Sequence, residues 1–166
     1  MDAQLDVICR ARSVLSDVTP LCTDCGRVCG HACCQPDENG KGGMLLFPGE
    51  EALYADLSGF SVLDDQTVVP NGRLLVCGGI CERETRPLAC RFFPMRPASS
   101  GKAVMDRRAA WVCPLYEGGK QALRADFVAA CGEAAAILSQ SPVQRAFLDA
   151  LRDRIRFETD QTNWWR

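Results

Sequence analysis

The sequence predicts an α+β protein: a small irregular Cys-rich metal-binding core with a short antiparallel sheet, one N-terminal helix and two C-terminal helices. Three observations predict it. Apolar residues recur at helical spacing towards the two ends of the chain. Short apolar runs of strand character occupy the middle. Nine of the eleven cysteines fall in that same middle, among glycines and prolines that favour loops. A length of 166 residues suits one folding unit over 1–166, with the Cys-rich core at about 20–115 and the C-terminal helical part at about 119–158.

Taken in order, residues 2 to 17 carry Leu5, Ile8, Cys9, Arg12 and Leu15 on one helical stripe, apolar except for Arg12, which stops before Pro20. From Leu21 to Gly43 the periodicity vanishes, as expected of backbone wrapped around ligands. Met44 to Phe47 reads as a strand, and Pro48 followed by Glu50 and Glu51 opens a short helix through about Leu57, with acids at its positive end. Arg73 to Cys77 reads as a second strand, and Lys102 to Val112 as a third that delivers Cys113. Asp64 and Asp65 read as a solvated loop edge, and Gly40 to Gly43 and Gly118-Gly119 as turns. Leu123, Phe127, Ala130, Cys131, Ala134 and Leu138 form one C-terminal stripe; Phe147, Leu151 and Ile155 form another. Ser141-Pro142-Val143-Gln144 between them is a capping box. Trp164 and Trp165 in the polar tail either fold back on the core or form a sticky end.

Composition removes several function classes. Nineteen Lys and Arg against 21 Asp and Glu give a net charge of -2, which argues against nucleic acid or an anionic membrane as partner. The longest uncharged run, Ala134 to Gln144, is 11 residues and partly polar, too short to span a bilayer. The start, Met1-Asp2-Ala3-Gln4-Leu5-Asp6, has neither a basic segment nor an apolar one, so a cytoplasmic location with reduced thiols is expected. No nucleotide-binding glycine motif and no HExxH occurs, and a single histidine argues against a hydrolase triad.

Eleven cysteines in reduced surroundings call for metal as their explanation. Cys9 and Cys131 lie on helical stripes and read as small buried hydrophobes. The rest are the candidate ligands: Cys22, Cys25, Cys29, Cys33, Cys34, Cys77, Cys81, Cys90 and Cys113. The first five fall within 13 residues, a density that invites mispairing unless thiolate ligation occupies them. Nine thiols fill two four-coordinate sites with one spare, or one iron-sulfur cluster with supporting thiols. Vicinal side chains such as those of Cys33 and Cys34 diverge, so the pair serves one ion only through a turn. His31, inside the loop, is either a ligand or a neighbour of the ligands.

The Cys-rich loop ending in a vicinal pair, followed by Arg86-Pro87-Leu88-Ala89-Cys90-Arg91-Phe92-Phe93-Pro94, resembles the bacterial YkgJ-like cysteine-cluster family of zinc- or iron-chelating domains with a CxxCxxCC signature. The likeness covers roughly Cys22 to Cys113. Here the signature is stretched to C-x2-C-x3-C-x3-CC with a fifth cysteine, which leaves open which four match. The resemblance implies a cytoplasmic metal-binding protein, zinc first, with a structural, interaction or metal-handling role. The same cysteine motif is similar to that of flagellin lysine N-methylases, which implies the alternative of an iron-sulfur enzyme of methyl-transfer or redox chemistry. Binding is favoured over catalysis, because a chain of this length offers no obvious second domain for a methyl donor. Thiol redox sensing is a third reading, which needs an exposed thiolate of low pKa.

Arg86 and Arg91 flank Cys90, and their guanidinium N–H groups would offset the two net negative charges of four thiolates on a divalent ion. Alternatively they are surface residues of a chain with 16 Arg and 3 Lys, or Arg91, Arg96, Arg107 and Arg108 line an anion pocket.

Overall fold

In a computed structural model, residues 2–36, 42–79 and 81–162 are described. Trp164, Trp165, Gly40 and Lys41, on which a tail and a turn were expected, lie outside them. The class is α+β, with five helices and short antiparallel sheets.

Helix α1, Ala3–Val14, starts where the Asp2 side chain accepts a hydrogen bond from the Gln4 N–H, and it buries Ile8 and Ala11 as its stripe requires. It lies along α4, Ala125–Ser139, whose buried face is Phe127, Cys131, Ala134, Ala135 and Leu138. Helix α5, Pro142–Thr162, adds Phe147, Leu148, Leu151 and Ile155 to the same core. Each large side chain so buried contributes about 1.5–3 kcal/mol, and these three helices therefore carry most of the apolar burial. Cys131 is fully buried here, as expected for a small hydrophobe, and burial pushes its thiol up to about 12. Cys9 is only half-buried.

The capping box is half realised. The Ser141 hydroxyl accepts from the Gln144 N–H at 3.3 Å, but the Gln144 amide turns away and donates instead to the Pro48 carbonyl and to Gln4 Oε1. A residue expected to close its own helix end thus ties α5 to α1 and to the 47–50 turn.

The sheet has strands β1 (Met44–Leu45), β2 (Phe60–Asp64) and β3 (Arg73–Cys77) in the order β1-β3-β2, all antiparallel, with Phe60 opposite Cys77. β1 is shorter than expected, because Leu46 and Phe47 turn into the two cores. The expected helix over 48–57 is a single 3-10 turn, Glu50–Leu53. Asp64 is solvated as expected but is the last residue of β2, paired with Arg73 across the ladder, and Asp65 begins the loop. The third expected strand is corrected most. Only Ala103–Met105 is extended, as β5 against β4 (Met95–Pro97). The chain then coils into a 3-10 helix, Arg107–Trp111, because the Asp106 carboxylate accepts from the Arg108 N–H at 2.9 Å and caps it.

The loops between these elements contain two short helices, α2 (Gly26–Cys29) and α3 (Leu88–Phe92). No described helix is long and apolar enough to cross a membrane.

Candidate metal centre

Two stretches far apart in sequence meet over one cavity of about 380 Å³, into which Cys25, Cys33, Cys34, Cys77, Cys81 and Cys90 all open. Local backbone explains how each arrives. Asp24 accepts the Gly26 N–H at 3.3 Å and starts α2, which places Cys25 and Cys29 on successive turns. Helix α2 ends at Gly30 in the left-handed region (φ 64°), and His31 follows in the same region at φ 59°. A Cβ at Gly26 would lie 2.3 Å from His31 Nδ1, so only glycine lets the imidazole fold back over α2. The next turn, Ala32–Cys34, presents the vicinal pair with its sulfurs 4.0 Å apart. Cys77 is the last residue of β3, and Cys81 follows a Gly-Gly turn.

Cys90 is held by the most elaborate support. Glu50, fully buried, accepts from the Leu88 N–H at 2.7 Å and from the Phe47 N–H at 3.2 Å, and pairs with Arg12 at 3.0 Å. The Arg12 guanidinium also donates to Tyr54 Oη and to the Glu84 carbonyl, and the Tyr54 hydroxyl donates to the Thr85 carbonyl. One carboxylate therefore clamps α1, the 50–53 turn and the start of α3 together. Arg12 was visible as the charge that interrupts an apolar stripe; Glu50 carried no such signal, because two of its three partners are 38 residues away, one in each direction.

The thiols fall into two neighbourhoods. In the first, Cys90 feels Cys34, Cys81 and Cys77, and Cys81 accepts a hydrogen bond from the Arg86 guanidinium. In the second, Cys25, Cys29, Cys33 and Cys113 line a much smaller apolar crevice with Phe93 and Pro94. The Cys113 sulfur accepts from the Leu115 and Tyr116 N–H groups, the pattern of donors that favours a thiolate. Cys25 and Cys33 face both spaces. Cys22 lines neither: it is exposed and lies beside Arg124.

Burial raises the pKa of Cys25, Cys81, Cys90 and Cys113 above the ordinary thiol value, with neighbouring sulfurs adding to it. The vicinal pair splits. The hydrogen bond between the two sulfurs, in which either thiol can donate, raises Cys33 and lowers Cys34 to about 6, with Arg86 and His31 lowering Cys34 further. All eleven cysteines are unbridged. Among the described residues no three Cys, His, Asp or Glu side chains stand close enough together to enclose a single ion.

The two arginines part company. Arg86 reaches sulfur, whereas the Arg91 guanidinium, expected beside Cys90's sulfur, is spent on backbone carbonyls of Arg86, Arg83 and Glu84 at 2.9–3.0 Å. Arg91 fixes the loop that carries Arg86. His31 lines the larger cavity beside Cys34.

No protein family, no curated protein and no solved structure matches this chain.

Proposed function

We propose that this is a cytoplasmic metal-binding protein of the YkgJ-like kind, chelating zinc through clustered cysteine thiolates in a structural, interaction or metal-handling role. The observation that carries the reading is the meeting of six cysteines, from segments on either side of the small sheet, over a single cavity. Soft sulfur donors, a thiol already inclined to ionise at Cys34, and a guanidinium on Cys81 form a donor set that suits a thiophilic cation. Cys34, Cys77, Cys81 and Cys90 would hold one ion, with Arg86 offsetting charge on the sulfurs. Cys25, Cys29, Cys33 and Cys113 would hold a second. Zinc in such closed shells supplies folding energy and no chemistry of its own.

One observation favours a second reading. The four thiols around the larger cavity are spread more widely than one ion requires. An iron-sulfur cluster, also held by four cysteines, occupies more room, and would make the protein an enzyme of redox or methyl-transfer chemistry.

Metal and acid-labile sulfide analysis with a UV-visible spectrum, on untagged protein purified without oxygen, separates the readings. Stoichiometric zinc with no sulfide supports the first. Iron with sulfide and brown absorbance overturns zinc and supports the cluster. Metal-free protein with fully titratable thiols overturns both.

A further inference from the structure

A second cavity, of about 520 Å³, lies between the small sheet, α3, β4 and α5, within the size range of small-molecule sites, about 300–1,000 Å³. Its accessible lining is largely apolar, with Met44, Val68, Leu74 and Phe93 part-exposed above the buried Phe92, Met95 and Phe147, and the half-exposed Trp111 also lines it. Three guanidiniums reach it. Arg108 is gripped at two points by Asp106, at 3.1 and 2.7 Å, and Arg154 is paired with Glu158 at 2.6 Å. Arg96 is different. Its Nε is buried with no partner, and its one hydrogen bond among the described residues runs from Nη1 to the Pro97 carbonyl at 3.3 Å.

That leaves Arg96 in an uncompensated position. The groups that face it are Asp106, already committed to Arg108, and the like charges of Arg108, Arg152 and Arg156. Burial and those three guanidiniums lower its pKa. The Nε is closed off from the cavity, so a ligand would engage the Nη edge of Arg96, and a planar guanidinium edge fits a carboxylate with two parallel hydrogen bonds. We propose that this cavity binds a small amphipathic carboxylate, its acid group on Arg96 and its apolar body along the part-exposed Met44, Val68 and Leu74. Of the three carboxylates in the lining, Asp106 holds Arg108, Glu158 holds Arg154 and Asp65 accepts from Thr67, so none pairs with Arg96, and the apolar lining favours an amphipathic acid over a small hydrophilic anion. Arg91 and Arg107 take no part: the first is bound to carbonyls, and the second faces Asp160 on the surface. The inference stands apart from the metal reading, although Cys33 and Phe93 line both cavities.

The test is calorimetric titration of the full chain with decanoate, decanol and decyltrimethylammonium as probes, repeated on Arg96→Gln and Arg107→Gln. Expected are saturable one-to-one binding of decanoate, binding of decanol and of the cation weaker by about tenfold or more, a similar loss for decanoate in Arg96→Gln, and none in Arg107→Gln. Equal binding of decanoate and decanol to the unaltered chain overturns the proposal without depending on any variant. So does unchanged decanoate affinity in Arg96→Gln, or no binding at millimolar probe.

Discussion

The helical part and the cysteine part of this molecule are stabilised in opposite ways. Helices α1, α4 and α5 bury continuous apolar faces against one another and satisfy their own backbone hydrogen bonds. The cysteine segments have short elements, little apolar burial and nine thiols that are partly or fully exposed, and they are held by polar clamps to the helices. In the first region burial acts without a ligand. In the second the backbone is positioned and the thiols face a space that a ligand would have to fill, so ligand binding and local order are expected to be coupled there and uncoupled in the helices.

The sharpest way to break that contrast is at the joint between the regions. Glu50→Ala leaves Arg12 and two buried N–H groups without their acceptor, and is expected to destabilise the chain by about 3–5 kcal/mol, read as a shift of the urea midpoint. A loss below 1 kcal/mol would mean the clamp is not what holds α3. Slightly smaller is Leu138→Ala within the helical core, about 2–5 kcal/mol, with metal per folded chain unchanged; a proportional loss of metal would show that the regions are not separable.

Arg86→Met leaves the helices untouched and weakens metal retention about 10–100-fold in competition with a chelator, because it removes the donor to Cys81. Equal retention would reduce Arg86 to a loop residue. A more modest effect follows from protonation. Cys25, Cys81, Cys90 and Cys113 have raised pKa values and are protonated thiols at neutral pH, while Cys34, at about 6, is mostly thiolate. Metal must displace the protons of the raised group, so affinity rises with pH and falls as pH drops, with proton release measurable by titration in weakly buffered solution. Affinity independent of pH would contradict thiol ligation. Smallest of all, Cys22→Ser is expected to leave metal content unchanged, since Cys22 lies beside Arg124 and away from both thiol neighbourhoods; loss of one ion would return it to the ligand set.

The contrast also governs what could be read from the sequence. The long helices were legible because burial imposes a period: Phe127, Cys131, Ala134 and Leu138 all face inward as their spacing requires. The length of the third strand was not, since Asp106 redirects Arg107–Trp111 into a 3-10 turn by one local hydrogen bond that hydropathy does not register, and β2 and β4 were missed altogether. The density of cysteines was legible in the sequence, yet not their grouping. That Cys113 joins Cys25 and Cys29 while Cys22 stays apart depends on how the 107–116 segment folds back. Arg86 and Arg91 look equivalent in sequence, and only the position of nearby carbonyls separates them.

The separation between Cys34 and Cys90, which meet over one cavity, also sets a clock on biosynthesis. Cys90 follows Cys34 by 56 positions along the chain. At a synthesis rate of about 5–20 residues per second, the first five thiols leave the ribosome roughly 3–11 s before Cys90 exists to join them. During that interval they are unshielded thiols, open to whichever soft ion or oxidant arrives first, which on the proposed metal reading is where capture would begin. The folded site's preference can therefore act only on what the nascent segment has already captured or can still release.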